Sequence, residues 1–267
     1  MQQPNLDTAT YPALQQYLLH LADTALILAQ VQSEWCGHGP QLEQDIAITN
    51  ISLDVLGQAR NWYQYAATLI NDNNSEQAIT EDTLAYFRTE RDYKNLILCE
   101  LPNGDWAHTI LRLYFFAQYQ QLQLTALQQS SDATIAAIAS KSLKENTYHL
   151  RWSAEWVLRL GDGTSISNQK INEALTALWP YVYELFIPAT YENELVLTQV
   201  INEVQSLQVP WVQAVNALLY KATLPIPLYE MPAWQGLNGK QGIHTEHMGY
   251  ILTELQYLQR TYPNCNW

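Results

Sequence analysis

A chain of 267 residues, 48% of them hydrophobic, is long enough to bury a sizeable core without disulfide or metal staples. Its formal net charge of -13, with only 13 Lys and Arg, argues against nucleic acid or an anionic membrane as main partner, because both call for clustered cations. Three cysteines (Cys36, Cys99, Cys265), odd in number and without a CxxC pair, fit thiols in a reducing cytosol better than a disulfide framework or a zinc ribbon.

In chain order, Pro12 opens a first helix in which Leu14, Tyr17, Leu18, Leu21, Ala25 and Leu28 recur at helical spacing to about Trp35, where GHGP stops it. A second helix is expected from about Leu42 to Ile70, ending in the polar NDNNSEQ, and a short one from Thr83 to Tyr93. After the turn signal LPNGD, a third long helix runs from about Asp105 to Gln129; SSD then caps a fourth, Ala133 to about Leu160, which GDGT terminates. Shorter helices follow near Gln169 to Phe186, Leu195 to Leu207 and Pro210 to Tyr220, then the irregular LPIPLYEMPAWQGLNGKQG and a last helix from about Thr245 to Arg260.

Four long helices with short connections predict an all-α four-helix bundle. The expected organisation is a single domain over 1–267, with a bundle core at about 12–161 and a C-terminal helical extension at about 165–267. MQQPNLDTATYPALQQ has no basic region leading into an apolar run, and no stretch reaches the roughly 18 apolar residues of a membrane span, so the expected location is cytoplasmic. Charged residues make up 15% of the chain against about 25% in typical soluble domains, while Trp and Tyr number 9 and 17. A surface short of charge and rich in aromatics suits a permanent protein interface.

Within the fourth helix, KENTYHLRW raises the question of a metal. A Glu three residues before a His faces inward with it from adjacent turns of a helix, and di-metal bundles take one Glu from each of two helices and a Glu-x-x-His from each of the other two. Here Asn146 stands three residues before His149, and Glu145, four before it, points about 100° away around the helix. His244 and His247 are spaced to share a zinc ion, but no third ligand converges by sequence, and an exposed or interface-bound helix start, with Thr245 near the cap, is the expected reading. Gly161 and Gly163 form a turn and not a phosphate loop, and neither Ser33 nor Ser153 lies in a nucleophile context.

WCGHGPQLEQDIAITNISLDVLGQARNWYQYAA, LPNGDW, KENTYHLRWSAEWVLRLGDGT and GKQGIHTEHMGYILTELQYLQRTYP together resemble the C subunits of the bacterial phenylacetyl-CoA epoxidases, multicomponent oxygenases of the ferritin-like class. The likeness runs in order along nearly the whole chain. It implies a ferritin-like bundle and a structural, non-catalytic role beside a catalytic A subunit that carries the di-iron centre, with a B subunit and a flavin and iron-sulfur reductase as further partners. It also implies a complex that uses NADPH and dioxygen to epoxidise phenylacetyl-CoA in aerobic phenylacetate catabolism.

Laid on this chain, the ligand pattern of the catalytic subunit falls on Glu34 in the first helix and on Val55 and Gln58 in the second. In the third and fourth it falls on Ala117 and on Asn146 with His149. Two of six ligands survive, so the resemblance implies a degenerate di-iron site, with no metal, cofactor or catalytic residue in this chain. An interface is expected to draw on Trp35, Trp62 and Tyr63. The alternative is an independent ferritin-like metal protein or oxygenase with its own metal centre.

Overall fold

The computed structural model describes residues 11–73, 78–229 and 236–262, with Cys265. The first ten residues, the end of NDNNSEQ and residues 230–235 of the proline-rich run lie outside the described residues.

Ten α-helices follow one another among the described residues: α1 Ala13–Ser33, α2 Leu42–Asn73, α3 Glu81–Tyr86, α4 Ile97–Glu100, α5 Trp106–Leu127, α6 Ala133–Gly161, α7 Ser165–Leu178, α8 Thr190–Leu197, α9 Gln208–Lys221 and α10 Glu246–Thr261. The only extended pairing among these residues is an isolated bridge between Asn238 and Ile243. No helix among them is long and apolar enough to cross a membrane.

The chain divides into two compact units, 1–102 with 236–267, and 103–235. The segment expected as a C-terminal extension is therefore shared between them.

The first unit is built on the α1–α2 hairpin. Gln15 Nε2 donates to the Leu69 carbonyl at 3.1 Å and Tyr63 Oη to Asp23 at 2.5 Å, which sets the antiparallel register. From Tyr17 to Ala29 every residue of α1 is buried, as expected of a helix apolar on nearly all faces. α2 is amphipathic and lays Ile48, Ile51, Val55, Ala59, Trp62 and Ala66 inward. The expected helix over 83–93 is instead α3 followed by a 3-10 turn, Glu90–Asp92, because Thr80 caps the chain earlier by accepting from the Thr83 N–H at 3.1 Å. The single turn α4, fully buried, carried no periodic signal of its own.

In the second unit the cap read from the sequence at SSD is made as expected, and Asp105 supplies another. Asp105 accepts from the His108 N–H at 3.1 Å, and Asp132 accepts from Thr134 and Ile135 at 2.9 and 3.0 Å. α5 and α6 pair as the second hairpin, and Phe115, Phe186 and the fully buried Trp211 close an aromatic core with ring centroids 5.5–5.6 Å apart. Trp211 Nε1 reaches the Phe115 carbonyl at 3.0 Å.

Two helices expected in this unit are interrupted. α7 passes into a 3-10 stretch, Trp179–Phe186, where Pro180 supplies no N–H. The helix expected over 195–207 breaks after Leu197, where Gln199 takes a left-handed φ of 59° and the Val200 N–H returns to the Leu195 carbonyl.

In the first unit the chain returns from Gly236 onward to α3 and α4. Gly242 turns there at φ 76°, and a Cβ at this position would lie 2.2 Å from the Arg91 carbonyl oxygen. Gly242→Ala is expected to cost about 2 kcal/mol or more, from left-handed strain together with overpacking. Urea melts check this, and a loss below about 0.5 kcal/mol would mean that this turn relaxes freely.

Candidate functional site

Of the six positions that the resemblance assigns to metal ligation, five are buried. Val55 and Gln58 lie on the inward face of α2, both 1% exposed, while their neighbours Leu56 and Gly57 point outward. Glu34 does not belong with them. It is the exposed C-cap residue of α1, and the hairpin register sets Ile27 to Gln30, rather than Glu34, level with Val55 and Gln58. The carry-over to Glu34 is thus more than a turn too far along the helix, and the residues at that level are not carboxylates.

On the α5–α6 hairpin, Asn146 and Ala117 meet directly. Asn146 Nδ2 donates to the Ala117 carbonyl at 3.0 Å and to Gln121 Oε1 at 3.0 Å, with Asn146 wholly buried. An ionised Glu has no proton to donate and could make neither bond. The amide thus ties α6 to the backbone of α5 at this position. His149, 1% exposed, follows one turn on. Glu145 is only half-buried, as its rotation from Asn146 around the helix requires.

Among the described residues no three His, Cys, Asp or Glu side chains are gathered to hold a metal ion. The donor chemistry at the six positions points the same way. Two irons need about four carboxylates to offset their charge, whereas a hydrocarbon, a methyl group, two amides and an imidazole occupy the buried positions. These residues do not fit a di-iron centre.

Four buried ionisable side chains of the first unit form two pairs elsewhere. Asp23, the one carboxylate of α1, bonds the Arg88 guanidinium, with both side chains fully buried. It also accepts from Tyr63 Oη and from the Lys94 N–H at 2.8 Å. Arg88 donates further to the Leu84 and Asp92 carbonyls and lies 4.3 Å from the centre of the Tyr93 ring. Burial alone would favour a neutral guanidine, but Asp23 outweighs it and holds Arg88 charged, above its ordinary range. Burial and the Asp23 carboxylate push the Tyr63 hydroxyl well above its usual value, so it remains a donor.

The second pair joins Glu100 of α4 to His244, at 2.7 Å and without side-chain exposure on either. Glu100 also accepts from the Thr245 N–H at 2.6 Å and from Asn95 Nδ2 at 2.8 Å. His244 Nε2 lies 3.0 Å from the Tyr93 carbonyl, so that both ring nitrogens have a partner. The sequence reading of 244–247 as a plain helix start missed this. The helix does begin after Thr245, but His244 is a buried tie and not one of two zinc ligands. A sequence signal existed: a lone Glu in the apolar run NLILCEL has to find a partner if it is buried.

The profile of the family described as "Phenylacetic acid catabolic protein" matches residues 2–267. The chain belongs to this family. Its fold class is accordingly all-α and ferritin-like, as the helical structure of both units has it. One relative, the C subunit of 1,2-phenylacetyl-CoA epoxidase from Escherichia coli (strain K12), is 43% identical over 254 residues, which cover 95% of this chain and 99% of the relative.

The aromatic residues expected at an interface are placed differently from the expectation. Trp62 and Tyr63 are each 2% exposed and fill the core of their own unit, so neither can meet a partner, while Trp35 is half-buried beyond the end of α1. Helical spacing alone did not separate the inward face of α2 from its outward one. The outward face instead carries Leu42, Ile46, Leu53 and Leu56, all exposed.

Proposed function

We propose that this chain is the structural, non-catalytic subunit of a multicomponent di-iron oxygenase that converts phenylacetyl-CoA to its ring epoxide in aerobic phenylacetate catabolism. In this reading it binds and stabilises the catalytic subunit, which carries the two irons, and works beside a further subunit and a flavin and iron-sulfur reductase fed by NADPH. Membership of such a complex is supported by the name of the relative and by the extent of the match. The non-catalytic role rests on one observation above all: at a position where the resemblance calls for a ligating Glu, the Asn146 amide donates to the backbone carbonyl of Ala117. A permanent pair of subunits should bury more than about 2,000 Å² with an apolar centre, and the exposed leucines and isoleucine of α2 suit such a contact.

Co-expression with the catalytic subunit tests the reading. The expected result is a complex that co-purifies at high salt, because apolar burial is not screened as ion pairs are. Phenylacetyl-CoA turnover is then expected only from the assembled complex with its reductase. The isolated chain, soaked in ferrous iron and desalted, should keep well under one iron. Turnover by the isolated chain, or retention of about two irons per chain, would establish the alternative of an independent metal enzyme.

A further inference from the structure

The outward face of α2 holds a feature that nothing among the described residues accounts for. Leu42, Ile46, Leu53 and Leu56 are 72, 53, 61 and 43% exposed, and at about 100° per residue they fall within an arc of about 80°. Gly57 lies beside this ridge, deep inside a helix of 32 residues. Glycine weakens a helix interior relative to alanine, so it needs a compensating reason, commonly the close approach of another backbone.

Gly161 has such a reason within the chain, since a Cβ there would lie 2.2 Å from the Ala222 carbonyl oxygen. At Gly57 a Cβ would meet nothing within 4 Å. A groove of about 490 Å³ runs alongside, with Leu26, Leu53, Leu56, Gly57, Ala59 and Tyr86 among its walls, and an adjoining hollow of about 210 Å³ shares four of these residues.

The charges around the groove narrow the choice of occupant. Glu81 and Asp82 line it, with Glu43 and Asp54 farther along α2, whereas the cation of this face, Arg60, is engaged with Glu81 at 3.4 Å. Two copies meeting through this face would set two acidic rims against each other, which disfavours a symmetric self-pair. A complementary surface is apolar at its centre and carries Lys or Arg at its edges.

We infer that Gly57 is the floor of a socket for one helix of the catalytic subunit, a helix that seats a large apolar side chain over the glycine and brings basic residues to the acidic rim. The ridge from Leu42 to Arg60 is about 27 Å long, enough for a helix to cross in continuous contact. This rests on the subunit reading given above and specifies where the partner binds.

Gly57→Ala and Gly57→Leu test it, each measured alone and with the catalytic subunit. Alone, with open space above residue 57 and a better helix former in place, both variants should melt at the wild-type temperature or a few degrees higher. With the partner, Gly57→Leu should weaken the complex at least tenfold and Gly57→Ala less, because the added atoms occupy the space of the partner's side chain. Asp54→Lys should slow association, most clearly at low salt.

If wild-type chain binds the catalytic subunit and Gly57→Leu binds it within twofold, the socket is refuted while the subunit reading stands. If wild-type chain does not bind that subunit at all, the reading itself fails. Sedimentation of the isolated chain covers the remaining occupant: a self-association that Gly57→Leu abolishes would assign the groove to a second copy and overturn the inference.

Discussion

Arg88→Ala is expected to lower the unfolding free energy by about 3–5 kcal/mol, the range for removing one partner of a buried ion pair. The alanine leaves the Asp23 carboxylate fully buried beside the Tyr63 hydroxyl and the Lys94 N–H, without the guanidinium that pairs with it. It also deprives the Leu84 and Asp92 carbonyls of their guanidinium donor. Removing both charges should hurt less than removing one: Arg88→Met combined with Asp23→Leu is expected to recover a good part of the loss, because neither member of the pair is then left buried without the other. Urea titrations of the three variants decide the matter. A loss below about 1 kcal/mol for Arg88→Ala would mean that water reaches Asp23 in solution.

Val55→Glu is expected to be nearly as damaging, at roughly 3 kcal/mol or more, because it buries a carboxylate on the inward face of α2 at a position only 1% exposed. The outcome bears on the degenerate site. Were the position still a metal cradle, glutamate would suit it and added ferrous iron would restore stability. With hydrocarbon packing in its place, iron should make no difference. A neutral effect in chemical denaturation, or rescue by iron, would overturn the account of this position.

The sequence was legible where local rules operate. The four long helices, the cap at Asp132 and the glycine-marked stop after α6 follow from periodicity and short-range hydrogen bonding, and each is found close to its expected place. What stayed hidden depends on side chains meeting over long separations. Nothing near Asp23 announces Arg88, 65 residues on, and nothing near Glu100 announces His244, 144 residues on.

The site positions divide in the same way. Asn146, His149, Val55 and Gln58 sit on helices with strong periodicity, and all four are buried. Glu34 was misplaced because a cap residue has no partner face to fix its register. Trp62 and Tyr63 were misread because large aromatics suit a core as well as an interface.

The interrupted course of the first unit bears on the order in which the protein can be made. Arg88 and Glu100 emerge from the ribosome early, but the Gln256 and Arg260 side chains that donate to the Arg88 carbonyl, and the His244 that pairs with Glu100, follow only after the whole of 103–235 has been synthesised. At 5–20 residues per second that interval is on the order of ten seconds. Throughout it a buried carboxylate and several carbonyls of the N-terminal half lack their final partners, and at its end the second unit has its complete sequence while the first still awaits 236–267. Translation therefore favours closing the second unit before the first, although the first begins earlier, and the nascent N-terminal hairpin is the part most in need of a chaperone.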